Sequence, residues 1–178
     1  MSQYREMNLT AEIMKNALSH LDALLELKVT LIMGGGGAMI LAHGFALGTT
    51  DIDAVPRGMT VPELDPFVKR VAETLGLPHD WLNPYFGTFA HTLPSDYGSR
   101  LIPVFSGAHL SAQALGKEEM LIMKCFAHRQ KDVGHSKALI KGGANIQAVE
   151  SHISELLKKK IPGAQAALDF LDDVQDQL

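Results

Sequence analysis

Val29-Thr30-Leu31-Ile32-Met33-Gly34-Gly35-Gly36-Gly37, followed by Asp51-Ile52-Asp53, decides how this chain is read. The apolar run has strand length and ends at four consecutive glycines. Glycine lets a backbone approach a phosphate closely and adopts conformations other residues avoid. An Asp-x-Asp pair on a strand puts both carboxylates on one face, because side chains alternate with period two. Together these elements point to a nucleoside triphosphate (NTP) held at a Gly-rich turn through Gly34 to Gly37 and Thr50. A divalent metal, Mg²⁺ or Mn²⁺, would be held by Asp51 and Asp53.

Working outward from that stretch, Thr10 can cap a helix running to about Lys28, with Ile13, Met14, Leu18, Leu21, Leu24 and Leu25 as its apolar stripe. Val29 to Met33 is a short buried strand. Ala38 to Ala42 begins a helix behind the glycines, ended by His43-Gly44. Asp51 to Val55 is a second strand, closed by Pro56. Pro62 suits the first turn of a helix to about Leu75, with Gly76 as its stop. Gly76 to Gly98 is long and irregular. Arg100 to Phe105 reads as a third strand, which Pro103 demotes to an edge or marks with a bulge. His109 to Ala114 adds another. From Lys117 the pattern turns helical, with segments near 117–131, 133–141, 146–159 and 163–176. The fold class expected is α/β (α+β), with a core over residues 1–116. A helical C-terminal segment, 117–178, packs on it as one compact unit.

Composition narrows the function classes. The chain has 178 residues, 46% of them hydrophobic, enough for a real core. A net charge of −4 argues against a protein that coats nucleic acid generally. The single cysteine, Cys125, excludes an internal disulfide and reads as a buried structural thiol within an apolar run. No apolar run approaches the roughly 18–20 residues that span a bilayer, and the N-terminus carries Arg5 and Glu6 without a signal-peptide core. A cytoplasmic protein with no membrane partner is expected.

The order strand, glycines, helix, Gly48-Thr49-Thr50, then Asp51-Ile52-Asp53 resembles the signature of the nucleotidyltransferase superfamily. Gly76-Leu77-Pro78-His79-Asp80-Trp81-Leu82-Asn83 is similar to a segment of a bacterial branch related to the AbiEii-type abortive-infection toxins. So is the stretch from Leu121 to Asp132, which holds Lys124, Arg129 and Asp132. The resemblance covers roughly residues 29–135. It implies a mixed sheet flanked by helices, and transfer of a nucleotidyl group from an NTP to a hydroxyl, with Mg²⁺. Its acceptor would be tRNA or a protein, and an antitoxin could accompany it. It assigns catalytic parts to Asp51, Asp53, Lys124 and Asp132, with Lys124 meeting a phosphate.

The chain departs from that pattern in three places. The Arg100 to Phe105 strand, which should carry a third acid, has none. Leu47 stands where an arginine is often found, and His135 where a second aspartate often follows. An alternative reading is therefore a catalytically silent nucleotidyltransferase-like binding or toxin–antitoxin module. Blander readings stand beside each motif. The glycines could be a tight turn, though four exceed what a turn needs. The aspartates could cap a turn beside Thr49-Thr50, although two on one face repel unless a cation is shared. Lys117, Lys124, His128 and Lys131 fall on one helical stripe, which could be a solvated face. Arg129 and Asp132 could be a surface pair, and Trp81, with Asn83 and Tyr85, could pack a loop over the sheet or stack a base. The eight histidines show no close ligand pair for zinc.

Overall fold

The computed structural model describes residues 7–45 and 48–178. They form two compact units. The first comprises the chain to Gly87 together with Ile102–Ala114, and the second comprises Thr88–Leu101 and Leu115–Leu178.

In the first unit, Thr10 caps α1 (Ala11–Leu24) by accepting from the Ile13 amide at 3.2 Å. Met14, Ala17, Leu18 and Leu21 face the core. The helix stops four residues short of Lys28, because Leu25 is already extended. Asp22, in its last turn, is tied elsewhere: its carboxylate accepts the backbone N–H groups of Ala108, His109 and Leu110.

Five strands make one mixed sheet, as expected. They are β1 (Val29–Gly34), β2 (Ile52–Arg57), β3 (Leu82–Asn83), β4 (Ile102–Ser106) and β5 (Leu110–Ala114), in the order β3-β2-β1-β5-β4. β1 is central, antiparallel to β2 and parallel to β5. A strand covered on both faces reads as a continuous apolar run rather than an alternating one, which is the pattern of Val29 to Met33. β5 instead alternates, burying Leu110, Ala112 and Ala114. β4 is the outer strand, and its register slips between Pro103 and Phe105, so Pro103 marks both an edge and a bulge. Pro56 does not end β2; it lies inside it. β3 covers β2 only at Ile52 and Asp53, so the missing N–H of Pro56 falls where no strand adjoins that side.

α2 (Gly35–Leu41) starts three residues earlier than Ala38. α3 (Val61–Leu75) begins with a Thr60–Glu63 capping box and ends at left-handed Gly76. The segment from Gly76 to Gly98 is not wholly irregular, since it supplies β3 and short 3₁₀ turns. Trp81 anchors its start: it is fully buried, and its indole N–H donates to the Val68 carbonyl at 2.8 Å. The packing reading of Trp81 therefore holds.

In the second unit, α4 (Lys117–Ala127) packs against α5 (Gln130–Lys141), α6 (Ile146–Lys158) and α7 (Ala164–Asp176). With neighbours on several sides, α4 buries Met120 through Phe126 without a break. The helix expected over 117–131 is interrupted at His128, which takes a left-handed φ of 35°. Lys131 thus lies on α5, and the proposed single stripe of Lys117, Lys124, His128 and Lys131 does not exist. Asp169, Asp172, Asp173 and Asp176 are solvent-exposed on α7. Among the described residues, no helix is long and apolar enough to cross a membrane.

Candidate functional site

The end of β1 and the start of β2 are neighbours because the strands run antiparallel, with Gly34 directly opposite Asp53. This pairing carries the glycines to the carboxylates. Gly35 opens α2 with φ +59°, in the left-handed region that favours glycine. A Cβ there would stand 3.0 Å from the Asp53 Cβ. One at Gly36 would stand 2.7 Å from the Thr49 hydroxyl. Gly34 adjoins the Phe86 ring, and Gly37 is buried against Met33 and Met14. Gly35 and Gly36 thus have a steric reason within the protein, and of the four only Gly35 abuts a carboxylate.

Asp51 immediately precedes β2 and Asp53 is its second residue. Asp53 is 8% exposed, and one of its oxygens accepts the Phe86 backbone N–H at 2.7 Å. Asp51 Oδ2 accepts from the Asn83 side-chain amide at 2.9 Å. The Asp51 carbonyl accepts the Thr49 hydroxyl at 3.0 Å, which shapes the turn into β2. Thr50 is exposed on that turn. Leu47 lies outside the described residues. Asn83, which the sequence groups with Trp81 and Tyr85 as a loop-packing or base-stacking residue, instead holds Asp51, a part the sequence reading missed. The Asn83-Pro84 pair, a turn signal directly after a two-residue strand, was the available clue.

A cavity of about 260 Å³ opens at the outer edge of β2 beside α3. Ala54, Pro56, Leu64, Val68 and Leu82 give it apolar walls, and the Asp65–Lys69 pair and His79 lie at its rim. Its walls offer no cluster of donors for a triphosphate. Asn83 lines it as well, so that one side chain borders both the cavity and the carboxylates.

Lys124 and Asp132, in the second unit, form a buried pair. The Lys124 ammonium, 8% exposed, lies 3.1 Å from Asp132 Oδ1, and the Asp132 side chain is fully buried. Arg129 encloses the same carboxylate with its backbone N–H at 3.1 Å, Nε at 2.8 Å and a terminal nitrogen at 3.2 Å. Asp132 is therefore not a surface residue; it joins the end of α4 to the start of α5. Burial pushes its carboxyl up, but Arg129 and Lys124 outweigh this and hold it below the ordinary value. Burial pulls the Lys124 ammonium down, and Asp132 only partly offsets it. His135 is lowered by burial and by Lys124. His135 Nδ1 and the Ser136 hydroxyl are buried without a hydrogen-bond partner among the described residues. Cys125 is buried, its thiol pushed up by burial to about 12.

The chemistry of the donor set suits one class of metal. Mg²⁺ commonly takes one or two protein carboxylates and completes its shell with water and substrate phosphates. Two aspartates at one sheet end fit that pattern. A closed protein site does not: no group of three His, Cys, Asp or Glu among the described residues could hold an ion.

The model of a family described as nucleotidyltransferases of unknown function (DUF6036) matches residues 9–160. The chain belongs to that family. The AbiEii-type branch is not distinguished by this match. No curated protein and no solved structure is significantly similar to the chain.

Proposed function

We propose, for this member of a nucleotidyltransferase family, that its first unit binds an NTP with Mg²⁺ at Asp51 and Asp53 and transfers a nucleotidyl group to a hydroxyl acceptor. One observation carries the reading: the pairing of Gly34 with Asp53, which brings the left-handed Gly35 against the Asp53 side chain. Glycine at position 35 lets the backbone come close to Asp53, where a side chain would crowd the carboxylate. Asp51 and Asp53 would hold the cation. When bound, Mg²⁺ would neutralise charge on the reacting phosphate and leaving pyrophosphate. The Phe86 amide and the Asn83 side chain fix the rotamers of the two aspartates, so the carboxylates need little reordering when ligand arrives. The acceptor would be tRNA or a protein, in the cytoplasm, with an antitoxin as a further partner. The family resemblance alone gives Lys124 a phosphate contact and Asp132 the acidic position that follows it; their buried pairing adds no support.

Thermal-shift titration with each NTP and Mg²⁺ tests the reading. The expected result is a rise in melting temperature that Asp53→Ala abolishes. No rise in the wild-type chain, or the same rise in the variant, refutes it. The silent-module reading is favoured by a different observation: β4 and β5 carry no acid. Incubation with α-³²P-labelled NTPs and tRNA separates the two. Label incorporation that requires Asp53 excludes the silent module.

A further inference from the structure

β3 is only two residues long, yet it sets Asn83 directly opposite Asp53 on the parallel neighbour of β2. Paired positions on adjacent strands face the same side of a sheet. The Asn83 side chain is committed at both ends. Its Oδ1 accepts the Tyr85 backbone N–H at 3.1 Å, and its Nδ2 donates to Asp51 Oδ2 at 2.9 Å. The first bond decides the second. With the acceptor end held by the backbone, only the donor end can face the carboxylate. The amide cannot simply flip and offer Asp51 an oxygen, because Tyr85 N–H would then face an NH₂ group.

This matters for charge. Carboxylates brought together at a cation site repel, and an amide N–H against one of them relieves part of that repulsion without adding a negative charge. A carboxylate at position 83 would do the reverse and create a three-acid cluster. Paired divalent cations about 3.5–4 Å apart place four positive charges in a small volume; beyond what the triphosphate neutralises, two carboxylates balance less of that charge, and offer fewer bridging oxygens, than three.

We infer that Asn83 is a positioning residue that limits the Asp51–Asp53 centre to a single divalent cation. It orients Asp51, and it fills with a donor the adjoining position from which a third carboxylate would bring a second cation. The inference rests on the reading of Asp51 and Asp53 as a cation site.

The experiment counts Mn²⁺ bound to the full chain by electron paramagnetic resonance, with a non-hydrolysable α,β-methylene NTP analogue present. Wild type is expected to bind one Mn²⁺ per chain. N83D is expected to bind two, and its metal-free melting temperature, lowered by repulsion, should recover on adding Mn²⁺. N83A should keep one site but bind Mn²⁺ about 10-fold more weakly, the usual loss when an outer partner of a ligand is removed. N83A decides the matter if N83D fails to fold. Two Mn²⁺ in wild type, one in folded N83D, or wild-type affinity in N83A overturns the inference. In those cases, binding that D53A abolishes leaves the site reading intact. Absence of Mn²⁺ binding in wild type, or binding that D53A leaves unchanged, overturns both.

Discussion

Asp132→Asn tests whether the second unit is organised around a buried charge. The wild-type carboxylate lies between the Lys124 ammonium, 8% exposed, and three nitrogens of Arg129. The substitution preserves volume and removes the negative charge. Arg129, with a side chain 40% exposed, can turn toward water. Lys124 cannot, and is left as a buried cation facing an amide. Breaking a buried pair in this way costs about 3–5 kcal/mol. For a chain of this length that corresponds to a fall in melting temperature of roughly 6–20 °C.

The pH dependence has a definite sign. Asp132, held below its ordinary value, contributes stability that is present at neutral pH and lost as pH falls below the ordinary carboxylate range. The variant lacks that acid loss. Lys124, already lowered by burial, falls further without its partner. Folding then favours the neutral amine, so the deficit of Asp132→Asn should shrink as pH rises toward the ordinary lysine value. Chemical denaturation and thermal melts from well below the ordinary carboxylate value up to about the ordinary lysine value measure both effects. The double variant K124M/D132N, which removes both charges, should be less impaired than the sum of its single variants. A fall in melting temperature under about 2 °C for Asp132→Asn, or strict additivity in the double variant, would refute the reasoning.

Three further outcomes follow from local geometry. Asp22→Ala removes the acceptor of three backbone N–H groups at the β4–β5 turn, bonds of 2.7–3.1 Å, and should cost about 2 kcal/mol in urea unfolding; a loss under about 0.5 kcal/mol contradicts it. Burial opposes ionisation of Asp22 but those amides hold its carboxyl below the ordinary value, so this contribution should fade as pH drops through the acid range. Gly35→Ala puts a Cβ in a left-handed conformation and 3.0 Å from the Asp53 Cβ; it should lower stability by about 1–2 kcal/mol and weaken NTP·Mg²⁺ binding, whereas wild-type stability and binding together would show that neither contact matters. Cys125, buried with its thiol raised to about 12, should resist a thiol reagent at pH 8 and react at once in guanidinium; rapid labelling of the native chain would disprove its burial.

What the residues revealed and concealed has a common physical basis. Local chemistry was legible: Thr10 caps a helix with its own side chain, Pro62 stands in the first turn of another, Gly76 takes the left-handed stop, and Pro103 sits at an edge with a register slip. Each of these depends on neighbours within a few positions. Asn83 depends on an atom 32 residues away, Asp51 Oδ2, through a strand of two residues; no periodicity can develop over so short a span. His128 was misread for a similar reason. Its helix spacing matched Lys124, but the turn that follows is fixed by Asp132, whose carboxylate accepts the Arg129 N–H and receives Lys124 from the preceding helix. A charged residue that looks like a surface pair in sequence becomes a helix-joining core residue once its partners surround it. The glycines are the converse. As four identical letters they suggested one purpose, but the structure divides them. Gly37 faces the core, Gly36 accommodates Thr49, Gly34 adjoins Phe86 and Gly35 meets Asp53. One glycine and the strand pairing that brings it to a carboxylate, not the length of the run, therefore mark the candidate site.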